Sequence, residues 1–331
     1  MKYRRLWTVL TAAGIAAAFT LSGCSEKGQS ELPDGANGDD PELSTLTISD
    51  TYAWIGYPAS EFTPIFSDPE QAEELTYSYD ESLISLSPED CTVTALAEGT
   101  AAVTVSSEHF SATFNVYCER VDSSDEAFLL KNDRFDAQAR AEGFLTDWEW
   151  NGTSGQSTVF IGDSFFDISF WDNFHTDYYA GKDALIWGIG STTSYTWETL
   201  TSYLLTQVAP RNLCMHIGTN NIYDLERTAQ ETLSSLQRMF TLMHAALPDT
   251  KIWYFSITQR TYTGADERYP TVNEVNEKMI AWCAGKSWIT LLDTSPDIKW
   301  FMLRDGIHPL NTEYGVFTRA LEEGGCMIAD K

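Results

Sequence analysis

A chain of 331 residues with 48 acidic against 21 basic side chains carries a formal charge of −27, and its 43% hydrophobic content can fill more than one packed core. Such a surface repels phosphate backbones and anionic lipid headgroups, which argues against nucleic-acid binding and leaves neutral substrates open. Acidic faces are also commonly just solvated.

The chain opens with Lys2, Arg4 and Arg5, and residues 6–21 are apolar or small throughout. That is the pattern of a secretory signal, too short for a comfortable membrane span. The Leu21-Ser22-Gly23-Cys24 that follows resembles a bacterial lipobox, which implies cleavage before Cys24 and a diacylglycerol anchor on it. The expectation is an extracytoplasmic protein tied to the membrane by lipid at Cys24, with an ordinary secretory signal as the alternative. Residues 24–45, rich in Ser, Glu, Gly, Asp and Pro, cannot bury a core and read as a flexible tether.

From 46 to 118 the pattern becomes short alternating apolar segments between turn residues, with strands predicted at 46–48, 75–77, 83–86, 93–96, 102–105 and 112–117. That texture suggests a small β-sandwich. The stretches 82–86 and 93–105 resemble bacterial Ig-like domains of group 2, a resemblance that implies a spacer or adhesive module without catalysis. A stalk is the plainer role and direct glycan binding the sharper one. Residues 119–156 join the modules, with helical texture over 123–142, and Trp148 and Trp150 are expected to cap the core that follows, with a place as substrate platforms as the alternative.

Beyond residue 157, strand-like runs at 158–161, 184–187, 212–217, 251–257 and 288–292 alternate with helical spacing at 197–208, 228–247, 271–284 and 312–323. This alternation predicts an α/β domain with a doubly wound parallel sheet of about five strands, complete without any strand from the first module. Functional residues should gather at the carboxyl ends of its strands. Four segments fit that placement. Gly162-Asp163-Ser164 ends the first apolar run and puts a hydroxyl between a strand and a helical segment, where helix N–H groups favour developing negative charge. Gly188-Ile189-Gly190-Ser191 offers backbone donors, and Gly218-Thr219-Asn220-Asn221 offers a side-chain amide for an oxyanion. Asp305-Gly306-Ile307-His308-Pro309 supplies an imidazole three residues from a carboxylate, the pair a serine nucleophile needs.

Taken together and in this order, these blocks resemble the SGNH (GDSL-type) hydrolases, over about half of the chain. The resemblance implies a flavodoxin-like fold, Ser164 as nucleophile, Asp305 and His308 as acid and base, and Asn220 as oxyanion donor. Where the family often has Asn-x-Gly-Ile-Gly-Gly, this chain has Ile186-Trp187-Gly188-Ile189-Gly190-Ser191, so the second oxyanion N–H falls on Gly190 or on Ser191. The N–H of Ser164 itself would complete the hole. The implied reaction is acyl transfer to water, with no cofactor and no metal. An acylated glycan, O-acetyl above all, or a small ester is the expected substrate. Lysophospholipid and thioester hydrolysis belong to the same family, and a non-catalytic surface-binding protein is the reading from another class.

Five cysteines remain besides Cys24, an odd number that cannot pair fully within the chain. Cys91 and Cys118 could bridge in the β-module, and Cys214 reads as an inert core residue. No CxxC pair or histidine cluster suggests zinc. Among the other histidines, His216 reads as a hydrogen-bonded core residue rather than a competing base.

Overall fold

The computed structural model describes residues 45–130, 137–152, 156–168 and 178–331. The expected signal, Cys24 and residues 24–44 of the tether lie outside these. Nine short strands come first: β1 Leu46–Thr47, β2 Thr51–Trp54, β3 Ser60–Glu61, β4 Ile65–Phe66, β5 Thr76–Ser78, β6 Ile84–Ser87, β7 Thr92–Ala95, β8 Gly99–Ser106 and β9 Ser111–Glu119. They form a four-stranded sheet in the order β2-β9-β8-β5, a three-stranded sheet β3-β7-β6 and a two-stranded ladder β1-β4. Strand β8 shows why: Ala101, Val103 and Val105 are buried while Thr100, Ala102 and Thr104 face water, the period of two of a half-covered strand. Phe62, Ile84, Val93, Phe114 and Val116 complete this layer's own core. Cys91 and Cys118 are both free thiols, so the bridge open to them is not formed.

Strand β2 is buried on both faces. Ala53 points into the β-layer core, whereas Tyr52 and Trp54 join the larger hydrophobic cluster of the domain that follows. The β-layer is therefore packed against its neighbour rather than standing apart on a linker. Helices α1 Ser123–Leu130 and α2 Ala137–Asn151 fall within the segment read as helical and linking. Trp148 of α2 packs edge-on against Trp187 at 6.2 Å, but Trp150 is 82% exposed and caps nothing, a correction to its expected place. The two side chains lie two residues apart, so one helix turn cannot aim both at the same surface.

The remaining strands are β10 Thr158–Gly162, β11 Ala184–Ile186, β12 Asn212–His216, β13 Lys251–Phe255 and β14 Ile289–Leu292. All pair in parallel, in the order β11-β10-β12-β13-β14. Alternate residues enter opposite cores: Val159, Ile161, Leu213, Met215, Ile252 and Tyr254 on one face, Phe160, Cys214, Trp253 and Phe255 on the other. Burial on both faces is why these strands read as continuous apolar runs. Helices α3 Ser194–Leu200, α4 Thr206–Val208, α5 Thr219–Tyr223, α6 Ala229–Ala246, α7 Tyr269–Cys283 and α8 Gly315–Glu323 flank the sheet, with a π-helical turn at Thr201–Leu205 between α3 and α4. With the first strand inside the second, the winding reverses between β10 and β12, and ligands of open α/β sheets bind at such a point.

Candidate active site

Ser164 leaves β10 at that reversal. The turn before it requires glycine: Gly162 has φ +124°, and a Cβ there would lie 1.9 Å from the His216 carbonyl oxygen. Asp163 then turns inward, accepting from the Phe165 N–H at 3.0 Å and from His216 Nδ1 at 3.2 Å. His216 is fully buried and stacks on Phe165 at 3.8 Å, so it is the hydrogen-bonded core histidine its strand position suggested. These contacts fix the turn and leave the half-buried Ser164 hydroxyl facing His308.

His308 Nε2 lies 2.7 Å from Ser164 Oγ, and His308 Nδ1 lies 2.7 Å from Asp305 Oδ2. Asp305 Oδ1 also accepts from the backbone N–H groups of Ile307, at 3.0 Å, and His308, at 2.8 Å. Burial pushes the Asp305 carboxyl up, but the hydrogen bonds from the His308 ring and backbone, with the Ile307 N–H, outweigh it and hold the group below its ordinary value. The loop is pinned as a hairpin: the Arg304 N–H donates to the His308 carbonyl at 2.9 Å and the Leu310 N–H to the Met302 carbonyl at 2.7 Å.

Asn220 lies in the first turn of α5, after Gly218 in a left-handed conformation. It is buried, with Nδ2 donating to the Thr192 carbonyl at 2.7 Å and Oδ1 accepting from Arg260 at 2.6 Å. An amide nitrogen has two N–H bonds, and the second makes no hydrogen bond among the described residues. Asn221 points the other way, its Oδ1 accepting from the Ser194 N–H and its Nδ2 donating to Ser194 and Ser235.

The loop after β11 holds the two candidate backbone donors differently. Gly190 does not have its N–H to give, because it donates to Asp167 Oδ2 at 2.7 Å. Ser191 adopts φ +61°, unusual for a residue with a side chain, and its N–H makes no hydrogen bond among the described residues. Strain of this kind concentrates at functional turns. Asp167 is in turn gripped by Arg140 of α2, with contacts of 2.8 and 3.1 Å, and Arg140 also donates to the Gly188 carbonyl at 3.2 Å. Sequence reasoning missed Asp167, Arg140 and Arg260. Asp167 stands three residues after Ser164 and Arg140 is the one basic residue of α2, and these are the only marks they carry. Among the described residues no His, Cys, Asp and Glu side chains cluster as a metal site would require, and no helix is long and apolar enough to cross a membrane.

No family profile matches the chain, and no curated protein does. Solved structures are similar at low identity. A proposed acylhydrolase of Bacteroides fragilis aligns at 17% identity over 59% of this chain and 97% of its own, with a TM-score of 0.48. A GDSL-like lipase of Bacteroides thetaiotaomicron aligns at 15% over 56% and 96%, TM-score 0.47. A carbohydrate esterase family 3 protein of Talaromyces cellulolyticus aligns at 19% over 51% and 96%, TM-score 0.41. Likenesses this loose leave the function to be argued from the geometry of the site itself.

Proposed function

We propose that this protein is a serine ester hydrolase of the SGNH type. The observation that carries the reading is the unbroken hydrogen-bonded line from Ser164 Oγ through the His308 ring to Asp305. His308 takes the proton as Ser164 attacks the ester carbonyl, and Asp305 orients the ring and stabilises the imidazolium that forms. In this mechanism the N–H groups of Ser164 and Ser191 and the Asn220 amide receive the oxyanion, since preorganised donors act where charge develops. Protonated His308 passes its proton to the leaving alcohol; it then activates the water that cleaves the acyl-enzyme.

O-acetyl groups on carbohydrate are the substrate class we favour. Trp300 and Phe301, 73% and 62% exposed and edge-to-face at 5.8 Å, stand just before the loop bearing Asp305 and His308. Exposed aromatic surface beside a site is the kind of patch that receives a ligand. Lipid anchoring at Cys24, an extracytoplasmic location and an Ig-like character for residues 46–118 are proposed from the sequence patterns alone. Cys24→Ser should release the protein from the membrane fraction, and continued incorporation of labelled fatty acid in that variant would refute the anchor.

The catalytic reading is tested by kcat/KM on a panel of acetyl esters with sugar, aryl and lipid leaving groups. Ser164→Ala should lose nearly all turnover with an unchanged circular dichroism spectrum. Equal activity in wild type and variant would remove Ser164 as nucleophile.

A further inference from the structure

Arg260 lies on the loop after β13, is 5% exposed, and belongs to none of the four sequence blocks. Its guanidinium donates in three directions: through Nε to Thr219 Oγ1 at 3.3 Å, through one terminal nitrogen to Asp224 Oδ1 at 3.1 Å, and through the other to Asn220 Oδ1 at 2.6 Å. The group also lies over the Tyr223 ring, 4.6 Å from its centroid. Its main chain is held as well, the N–H donating to the Tyr223 hydroxyl at 3.2 Å and the carbonyl accepting from the Tyr269 hydroxyl at 2.7 Å. All of the guanidinium's partners belong to the helical turn that carries Asn220 or to the residue that follows it.

A primary amide can present either its oxygen or its nitrogen in a given direction, and only one choice makes Asn220 an oxyanion donor. A guanidinium donates and never accepts. With Arg260 fixed against it, the amide must turn its oxygen toward the guanidinium and its N–H bonds to the opposite side, where one meets the Thr192 carbonyl. The positive charge at Oδ1 also draws electron density from the amide and strengthens its N–H bonds as donors. The next residue, Thr261, donates its N–H to the Gly306 carbonyl at 2.7 Å, inside the loop between Asp305 and His308. One dipeptide thus touches both the oxyanion amide and the base loop.

We propose that Arg260 is the positioning residue of the oxyanion hole: it locks the Asn220 amide in its donating orientation and, through Thr261, sets that amide in register with His308. The proposal rests on the serine-hydrolase reading above. Its action passes through Asn220 and involves no contact with substrate.

The test is a double-mutant cycle on a soluble aryl acetate, with kcat and KM for wild type, Asn220→Ala, Arg260→Met, Arg260→Ala and the two double variants, beside thermal melts of each. Asn220→Ala should lower kcat by about 100-fold, as removal of an oxyanion donor does. Arg260→Met should lower kcat by about 10-fold to 100-fold with KM nearly unchanged, and should cost less than about 2-fold when Asn220 is already alanine. Free guanidinium ion should restore turnover to Arg260→Ala and not to Asn220→Ala/Arg260→Ala, which separates positioning from lost folding. A full loss from Arg260→Met in the Asn220→Ala background, a rise in KM at constant kcat, or no effect of Asn220→Ala would each overturn the proposal while leaving Ser164 as nucleophile. If Ser164→Ala retains wild-type activity, the hydrolase reading falls and this one with it.

Discussion

In the proposed mechanism Asp305 acts as an anion, and the hydrogen bonds that hold its carboxyl below its ordinary value also set its response to pH. Because its folded value lies below its ordinary value, its contribution to stability is present above the ordinary carboxylate range and is lost as pH falls through the lowered folded value. Asp305→Asn should keep the fold and lower kcat by about 10⁴, the loss expected when the ring is held in the wrong tautomer, measured at the pH optimum of the wild type. At this scale the sequence was legible where a residue announces its chemistry at a strand end: Ser164, Asn220, Asp305 and His308 each follow an apolar run or sit in a short glycine-containing motif. Arg140, Asp167 and Arg260 were not legible, because each acts on partners brought near only by the fold. The preference for Ser191 over Gly190 in the proposed site rests on the Asp167 carboxylate, and no local pattern shows that a side chain from another loop has taken an N–H.

Helix α6 shows what a periodic pattern conveys and what it omits. Thr228 and Glu231 form a capping box, and Leu233, Leu236, Met239, Phe240 and Met243 make the apolar stripe that packs on the sheet, so the helix and its inner face follow from the sequence. Its other side carries Ser234, Gln237 and Arg238, polar residues of the kind that ordinarily face water, yet all three are buried. Gln237 accepts from the Tyr52 N–H, Ser234 accepts from Trp54 Nε1, and Ser234 donates to Glu119. Arg238 Nε contacts both Glu198 oxygens at 3.1 and 2.9 Å, and the Tyr57 hydroxyl donates to the same carboxylate at 2.9 Å. Removing one partner of such a buried pair strands the other charge. Arg238→Met should cost about 3–5 kcal/mol by denaturant unfolding, while Glu198→Leu with Arg238→Met together should cost far less. Equal losses in the single and double variants would show that the pair does not act as a unit.

Across the whole molecule, the parallel sheet is built from its own five strands, as the alternating pattern implied, but the helices beside it pack aromatic side chains against the β-layer. Trp282 donates to Thr51, Trp288 donates to Glu61 at 2.5 Å, and His244 stacks on Trp288 at 4.3 Å with its Nε2 3.4 Å from Glu61. A chain beginning at Glu119 would bare this aromatic surface. It should melt well below the full chain and self-associate, and its kcat/KM on a soluble ester should fall with the folded fraction; an unchanged melting temperature would show that the β-layer is a mere spacer. Trp54→Ala in the full chain should destabilise by about 3–5 kcal/mol, as removal of a fully buried large side chain does. Burial pushes Glu61 up, but the bonds from His244 and Trp288 prevail and hold it below its ordinary value. This part of the docking is thus intact above the ordinary glutamate range and weakens as pH falls through the lowered value, and Glu61→Gln should flatten that acid dependence in thermal melts.

The central claim is that Ser164 is an acyl-accepting nucleophile served by His308. It is tested most directly by treating the folded protein with a fluorophosphonate and mapping the modified peptide by mass spectrometry. One phosphonyl group on Ser164, formed quickly in wild type and at a small fraction of that rate in His308→Ala, is the predicted result. Labelling of another residue, or labelling of Ser164 at the same rate in the two proteins, would contradict it.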